Sequence, residues 1–256
     1  MKKLFTIILI GFSTMAYGQN LSMIEKDLLK PLKKIHYWSG MGYQDKLSVA
    51  DSLTKENSLL KKKLLKYTKN RPSTLGYDFK ALQKEGMTIA TSADKKFRIY
   101  SWDTYTGGTM HFFENVYQYQ SGKVTLSESI GSSEDAKGFF SEIFTLQTDS
   151  GPIYLGYLHS ILSTKLAYQN ICLFKIENAQ LKDAKLIKTK NGLNNSLGFE
   201  FDFFSVVNRK ERPVKLIYFD EAKKEIKIPL VKANGEVTPK FITYRYTGKY
   251  FERDKK

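Results

Sequence analysis

Cysteine is nearly absent from this 256-residue chain, and that alone removes whole classes of protein. One Cys cannot build a disulfide framework or a multi-cysteine zinc or iron–sulfur site. Histidine is scarce too. His36, His111 and His159 are the only three, and none stands four residues from another or in an H-E-x-x-H setting, so no metal site is expected. Six Pro and 17 Gly are too few for a low-complexity or collagen-like chain. Arg numbers 6 against 35 Lys, which discounts the formal net charge of +15. Arg is the residue suited to bidentate recognition of phosphates and bases, so no nucleic-acid partner is expected. A diffuse positive field suits anionic envelope polymers or lipid headgroups better. No apolar run reaches the ~20 residues of a membrane span. There is no phosphate-binding loop and no dinucleotide fingerprint, so no cofactor is expected.

What is present begins with an address. Lys2 and Lys3 precede a short apolar run, Leu4–Phe12, and the small residues Ser13, Thr14, Ala16 and Gly18 follow before Gln19. That is the layout of a secretory signal peptide over residues 1–18, cut at about Gly18/Gln19. Its removal takes away two Lys and leaves a formal +13. The expected product is exported, to periplasm or beyond, and does not span the membrane once processed. Cys172 sits in the apolar stretch Ile171–Phe174 and reads as a small buried hydrophobe.

Residues 19–86 read as a helical segment. Apolar residues at 21, 24, 28, 32 and 35 keep a helical spacing, with Pro31 expected to kink or split the helix. A second helix is expected over 44–67, with Leu47, Ala50, Leu53, Leu60, Leu64 and Tyr67 as its stripe. The run Lys61–Lys63 reads as its solvated face, matching the negative end of the helix dipole. A short third helix is expected around 78–84, stopped by Gly86.

From Met87 to the C-terminus the pattern changes to short aromatic and β-branched runs between turn residues. Strands are expected at 87–92, 96–103, 109–119, 140–147, 152–158, 168–177, 197–207, 213–219, 224–230 and 239–247. Connections as short as Ser121-Gly122 and Asn234-Gly235 imply antiparallel meander pairing. The expected fold is therefore α+β: a helical N-terminal segment, then one antiparallel β domain over 87–256, curled as a barrel, sandwich or partial propeller.

Two resemblances accompany this reading. Ser92-Ala93-Asp94, Trp102-Asp103 and Thr106-Gly107 together resemble a single WD40-type propeller blade over 92–107. That implies a strand–turn–strand unit, but no second W-D or G-H pair appears. The ending Ala16-Tyr17-Gly18-Gln19, the segment Phe97–Tyr119 and the stretch Tyr244–Phe251 resemble exported proteins of Bacteroidetes. That resemblance implies an address and an organism type, and no activity.

Two constellations could carry chemistry. If Thr104–Gly108 forms a hairpin loop, Ser101 falls opposite His111 and Asp103 opposite Thr109. Ser101, Asp103 and His111 then share a face, the parts of a nucleophilic triad. Such a triad also needs a strained turn and oxyanion donors, and no G-x-S-x-G occurs. Trp102, Tyr105, His111 and Tyr117 cluster near the same turn and could stack on a sugar or peptide; core residues are the competing account. Glu200 and Asp202 alternate with Phe199, Phe201 and Phe203, which puts both carboxylates on one strand face. Paired carboxylates can hydrolyse glycosides, though most such pairs are simply a wet face. The expected function is a non-catalytic exported envelope protein binding a glycan, a peptide or an envelope partner, with an exported hydrolase as the alternative.

Overall fold

The computed structural model describes residues 2–41, 46–130 and 138–254, and side chains from residue 21 onward other than 46 and 47. Residues 1–18, read above as a signal segment, and Leu47 lie outside the described side chains. Helix α1 (Lys2–Ser39) is followed by α2 (Lys46–Thr68), a 3-10 turn (Pro72–Leu75) and the short α3 (Lys80–Lys84). The α1 stripe packs as its spacing requires: Leu28 and Ile35 are fully buried, in one cluster with Leu60 and Leu64 of α2. Ala50 departs from the expected stripe and is exposed.

Pro31 does not split α1. A proline leaves the carbonyl four residues earlier without its helical donor. That carbonyl belongs to Asp27, and Lys63 Nζ reaches it at 3.3 Å while also meeting the Asp27 carboxylate at 2.8 Å. Pro31 itself is buried, so packing holds the helix where propensity would break it. The lysine run is thus only partly a solvated face. Lys62 is exposed, but Lys61 meets Glu114 at 2.9 Å and Lys63 ties the two helices together. Glu25 of α1 meets the other unpaired end: its carboxylate accepts from the Ala81 and Leu82 N–H groups that open α3 and from the Tyr77 hydroxyl.

Three sheets follow. The first is a meander of β1 (Thr88–Thr91), β2 (Phe97–Asp103), β3 (Phe113–Ser121) and β4 (Val124–Glu128). The second contains β5 (Phe139–Thr148), β6 (Gly151–Ile161), β7 (Leu166–Glu177), β8 (Gln180–Asp183) and β11 (Ser196–Asp202). Its order is β11-β7-β6-β5, with β8 extending the β7 edge beyond β11. The third comprises β9 (Ile187–Thr189), β10 (Gly192–Asn194), β12 (Tyr218–Asp220), β13 (Glu225–Val231), β14 (Val237–Tyr246) and β15 (Phe251–Arg253), in the order β10-β9-β15-β14-β13-β12. All pairings are antiparallel except β15 on β9, where Phe251 lies beside Ile187. None of the described sheets closes into a barrel.

The layers follow from period-two alternation. On the first sheet Tyr100, Trp102 and Val116 face the helices, whereas Phe97, Ile99 and Tyr117 face the second sheet. On the second sheet Phe140, Tyr154 and Phe174 face the first sheet, whereas Leu155, Tyr157, Ile171 and Leu173 face the third. The last layer supplies Ile187, Ile226 and Phe251.

Two expected strands are cut short for visible reasons. The strand at 197–207 ends at Asp202, whose carboxylate accepts from Phe204 N and turns the chain into a 3-10 turn, Phe203–Val206. The stretch 213–219 contributes only its end to β12. The Leu216 and Ile217 N–H groups go instead to the buried Tyr157 hydroxyl, at 2.7 and 2.9 Å.

Candidate functional site

The loop after β2 is longer than the sequence suggested. Ser101 pairs with Asn115 and Asp103 with Phe113, so the connection runs from Thr104 to Phe112. It is held by its own bonds: Thr104 N–H and Oγ1–H both donate to the Phe112 carbonyl. His111 N–H leaves the hairpin and donates to Ile161 O at the end of β6. Asp103 and His111 nevertheless meet, with Nδ1 and Oδ2 2.5 Å apart. The other Asp103 oxygen accepts from Tyr105 N–H, and the exposed Tyr105 ring stands edge-on to His36 at 5.4 Å. His36 is itself 3.0 Å from Glu85.

The remaining residues of that constellation lie elsewhere. Ser101 is fully buried; its hydroxyl donates to Asn115 Oδ1 at 2.6 Å and accepts from Phe140 N–H at 3.1 Å. It cross-links the first and second sheets and is not bonded to His111. Trp102 is 1% exposed and donates to Asn57 Oδ1 of α2, so it is a core residue with no face free for a ligand. Tyr117 lies on the opposite face of the first sheet, against Phe140 and Phe174. The structure therefore brings Asp103, Tyr105 and His111 together and separates Ser101, Trp102 and Tyr117 from them.

A serine–histidine pair that the sequence did not reveal lies in the second sheet. Ser141 is the extra residue of a β-bulge between Phe140 and Glu142, and its Oγ is 2.8 Å from His159 Nε2. Bulges do re-aim side chains at active sites, but the surrounding bonds assign this one otherwise. Gln169 Oε1 accepts from the Tyr157 hydroxyl and Leu216 N–H, and its Nε2 donates to Val214 O. The same Nε2 faces His159 Nδ1 at 3.3 Å, so Nδ1 is the acceptor and Nε2 carries the proton. His159 then donates to Ser141 and cannot take its proton. Burial, helped by the nearby Lys215 charge, lowers the His159 pKa to about 3 and keeps the ring neutral. No signal in the linear sequence marks the pair, because only the strand register joins them.

A trough of about 460 Å³ lies between the first and second sheets. Small residues make its floor. A Cβ on Gly156 would stand 2.9 Å from the Phe140 ring, and one on Gly198 would stand 2.5 Å from the Tyr168 hydroxyl. Each glycine thus lets an aromatic ring pack down on its strand, while the small residues that border the trough itself are Gly138, Ser160 and Cys172. Tyr117, Phe140, Phe174 and Tyr168 wall it, and Asp183, Asn195 and Glu200 supply polar groups. Burial pushes the Cys172 thiol up to about 12, with the Asp183 charge adding to it. Tyr117 and Tyr168 are both raised, chiefly by burial, with Asp183 contributing at the first and Glu200 at the second. Both phenols are neutral donors and acceptors at pH 7.

Glu200 and Asp202 divide in role. Glu200 is exposed and belongs to the trough. Asp202 caps the following turn and meets Lys165 at 3.3 Å, so it is structural. Among the described residues no group of three or more His, Cys, Asp or Glu is placed to hold a metal ion. No helix of the described residues is long and apolar enough to cross a membrane. No protein-family model matches the chain, and neither a curated protein nor a solved structure matches it.

Proposed function

We propose that this chain is an exported, non-catalytic binding protein of the cell envelope, and that the trough between the first two sheets seats its ligand, a glycan or peptide fragment. The observation that carries this reading is the trough itself: a hollow floor, four aromatic walls and polar groups within one concavity. Ligand sites are commonly concave, largely apolar and fitted with a few orienting polar groups. Tyr117 and Glu200 were both legible as candidates from the sequence, and the fold brings them to the same cavity.

The hydrolase alternative loses support. Asp103 and His111 form the orienting half of a triad, yet the Ser101 hydroxyl is spent on Asn115 and Phe140. The Ser141–His159 pair has its proton on the wrong nitrogen. A docking role for α2 is also disfavoured, because Leu53, Leu60 and Leu64 are buried.

A thermal-shift panel of peptidoglycan fragments, neutral and anionic glycans and short peptides, at low and high salt, tests the reading. A ligand that binds only the native state raises the melting temperature. A salt-resistant shift abolished by Tyr168→Ala is the expected result. A shift unchanged by Tyr168→Ala would remove the trough as the seat.

A further inference from the structure

We infer that the outward face of the α1–α2 pair docks on an anionic phospholipid bilayer, with lipid phosphates seated in a basic groove beside the helices. The inference goes beyond the ligand of the trough and does not depend on it.

Positive charge is concentrated at this end of the molecule. Residues 19–86 carry 14 Lys and Arg against 7 Asp and Glu, whereas 87–256 carry 25 against 19. Helix α1 turns Leu28 and Ile35 into the core, so positions 23, 26, 30, 33 and 37 share its opposite face. They are Met23, Lys26, Lys30, Lys33 and Tyr37, and all five are exposed. On α2, Lys62, Lys66 and Lys69 keep a helical spacing and are exposed too.

A groove of about 610 Å³ opens on this face. Three cations, Lys26, Lys30 and Arg71, and one carboxylate, Asp27, line it with Met23 and Tyr67. That carboxylate is already committed. Its Oδ1 meets Lys63 Nζ at 2.8 Å, and its Oδ2 accepts from the Tyr67 hydroxyl at 2.7 Å. Lys30 stands farther from it, at 3.7 Å. Lys63 therefore cancels the charge of Asp27, and the groove keeps a positive balance. Lys66 adds to it, over the Tyr67 ring at 5.7 Å. The other acid of this turn, Glu25, is buried and bonded to the start of α3.

The apolar residues choose between a soluble anion and a membrane. Among the described residues Met23 and Tyr37 are the two most exposed large hydrophobics, at 70% and 57%. They bracket the lysines of the α1 stripe. At a bilayer surface such side chains enter the headgroup boundary, and Lys stems reach the lipid phosphates. A soluble phosphate would use the lysines and leave both apolar side chains in water. The docking face is the outward one, and the apolar stripe of α2 stays in the core.

Co-sedimentation of the processed protein with sucrose-loaded vesicles tests this. Equimolar phosphatidylglycerol and phosphatidylcholine is the anionic membrane, phosphatidylcholine alone is the neutral one, and inositol hexakisphosphate is the soluble phosphate. Binding is expected on the anionic vesicles and should weaken as salt rises. Lys26→Gln with Lys30→Gln should weaken it about 25-fold, at about fivefold for each charge near the surface. Lys240→Gln with Lys249→Gln removes the same charge from exposed positions in β14 and the turn after it, and should change binding by less than about twofold. Met23→Ser should weaken vesicle binding by about threefold and leave hexakisphosphate binding unchanged. All five side chains are exposed, so the variants should melt as the parent does, and circular dichroism checks this. Equal losses in the two double-lysine variants would overturn the inference, because they would report net charge alone. Binding of the hexakisphosphate without the vesicles would overturn it and make the groove a site for a soluble anion. Absence of binding to the anionic vesicles would overturn it and leave the reading of the trough standing.

Discussion

The two faces of the second sheet are built from the same strands and are filled to different extents. Toward the third sheet β6 and β7 present Leu155, Tyr157, Ile171 and Leu173, all with no exposed surface. Toward the first sheet Tyr154 and Phe174 pack with Phe97, Ile99 and Phe140, and beside them Leu158, Ser160 and Cys172 border a concavity. Alternation assigns residues to faces, but residue size decides whether a face becomes core or cavity. One face is closed core, whereas the other is part core and part concavity. The first sheet repeats the pattern. Its helix-facing side is closed by Trp102 and Tyr100, while Tyr117 on the other side borders the trough.

The largest effects should come from the filled faces. Trp102→Ala removes a buried ring and strands Asn57 Oδ1, and should cost about 3–5 kcal/mol in urea unfolding. Leu173→Ala should cost about 2–5 kcal/mol. Cys172→Ala, one residue away on the hollow face, should cost less than about 1 kcal/mol. Equal losses at 172 and 173 would break the comparison.

His159 sharpens it through pH. Buried on the trough-distal side of β6 with Tyr157, it stays neutral down to about pH 3 in the folded protein. The unfolded chain binds that proton below about pH 6.5. Protons taken up only by the unfolded state favour it, so stability should fall as pH drops through that window and should be insensitive to this group above it. The contribution is at most about 1.4 kcal/mol per pH unit. His159→Gln should flatten the dependence relative to the parent between about pH 6 and 4. Identical slopes would show that His159 is not held neutral. The smallest effect belongs to Tyr105→Ala. Its ring is 39% exposed at the loop surface, and the change should stay within about 0.5 kcal/mol.

The sequence carried the helices, most of the longer strands and the change of pattern near residue 86, because each has a local periodicity. It did not carry β4, β8, β9, β10 and β15. These run three to five residues, too short for a pattern, and β15 has a parallel partner more than 60 positions earlier. The loop after β2 was read four residues too short at its far end, since nothing local shows that His111 N–H bonds to Ile161. The trough was legible only in fragments. Tyr117 and Glu200 each stood out, one as an aromatic near a turn and one as a strand carboxylate. The residues that leave room between them are the small Gly138, Ser160 and Cys172, and a hollow is made by side chains that are small or missing. No motif records that, and the trough draws on strands from two sheets.

The most direct test of the account compares neighbouring positions 172 and 173 as thiols. Cys172 is the only cysteine and stands half-buried in the trough. Methyl methanethiosulfonate added to the native protein should modify it slowly, about tenfold faster for each pH unit, because burial holds the thiol near 12. A Leu173→Cys thiol in a Cys172→Ala background faces the third sheet and should react only once denaturant unfolds the chain. Modification of the native protein at 172 and not at 173 is the result the account predicts. Equal protection of both thiols until unfolding would contradict it, because the space between the first two sheets would then be closed.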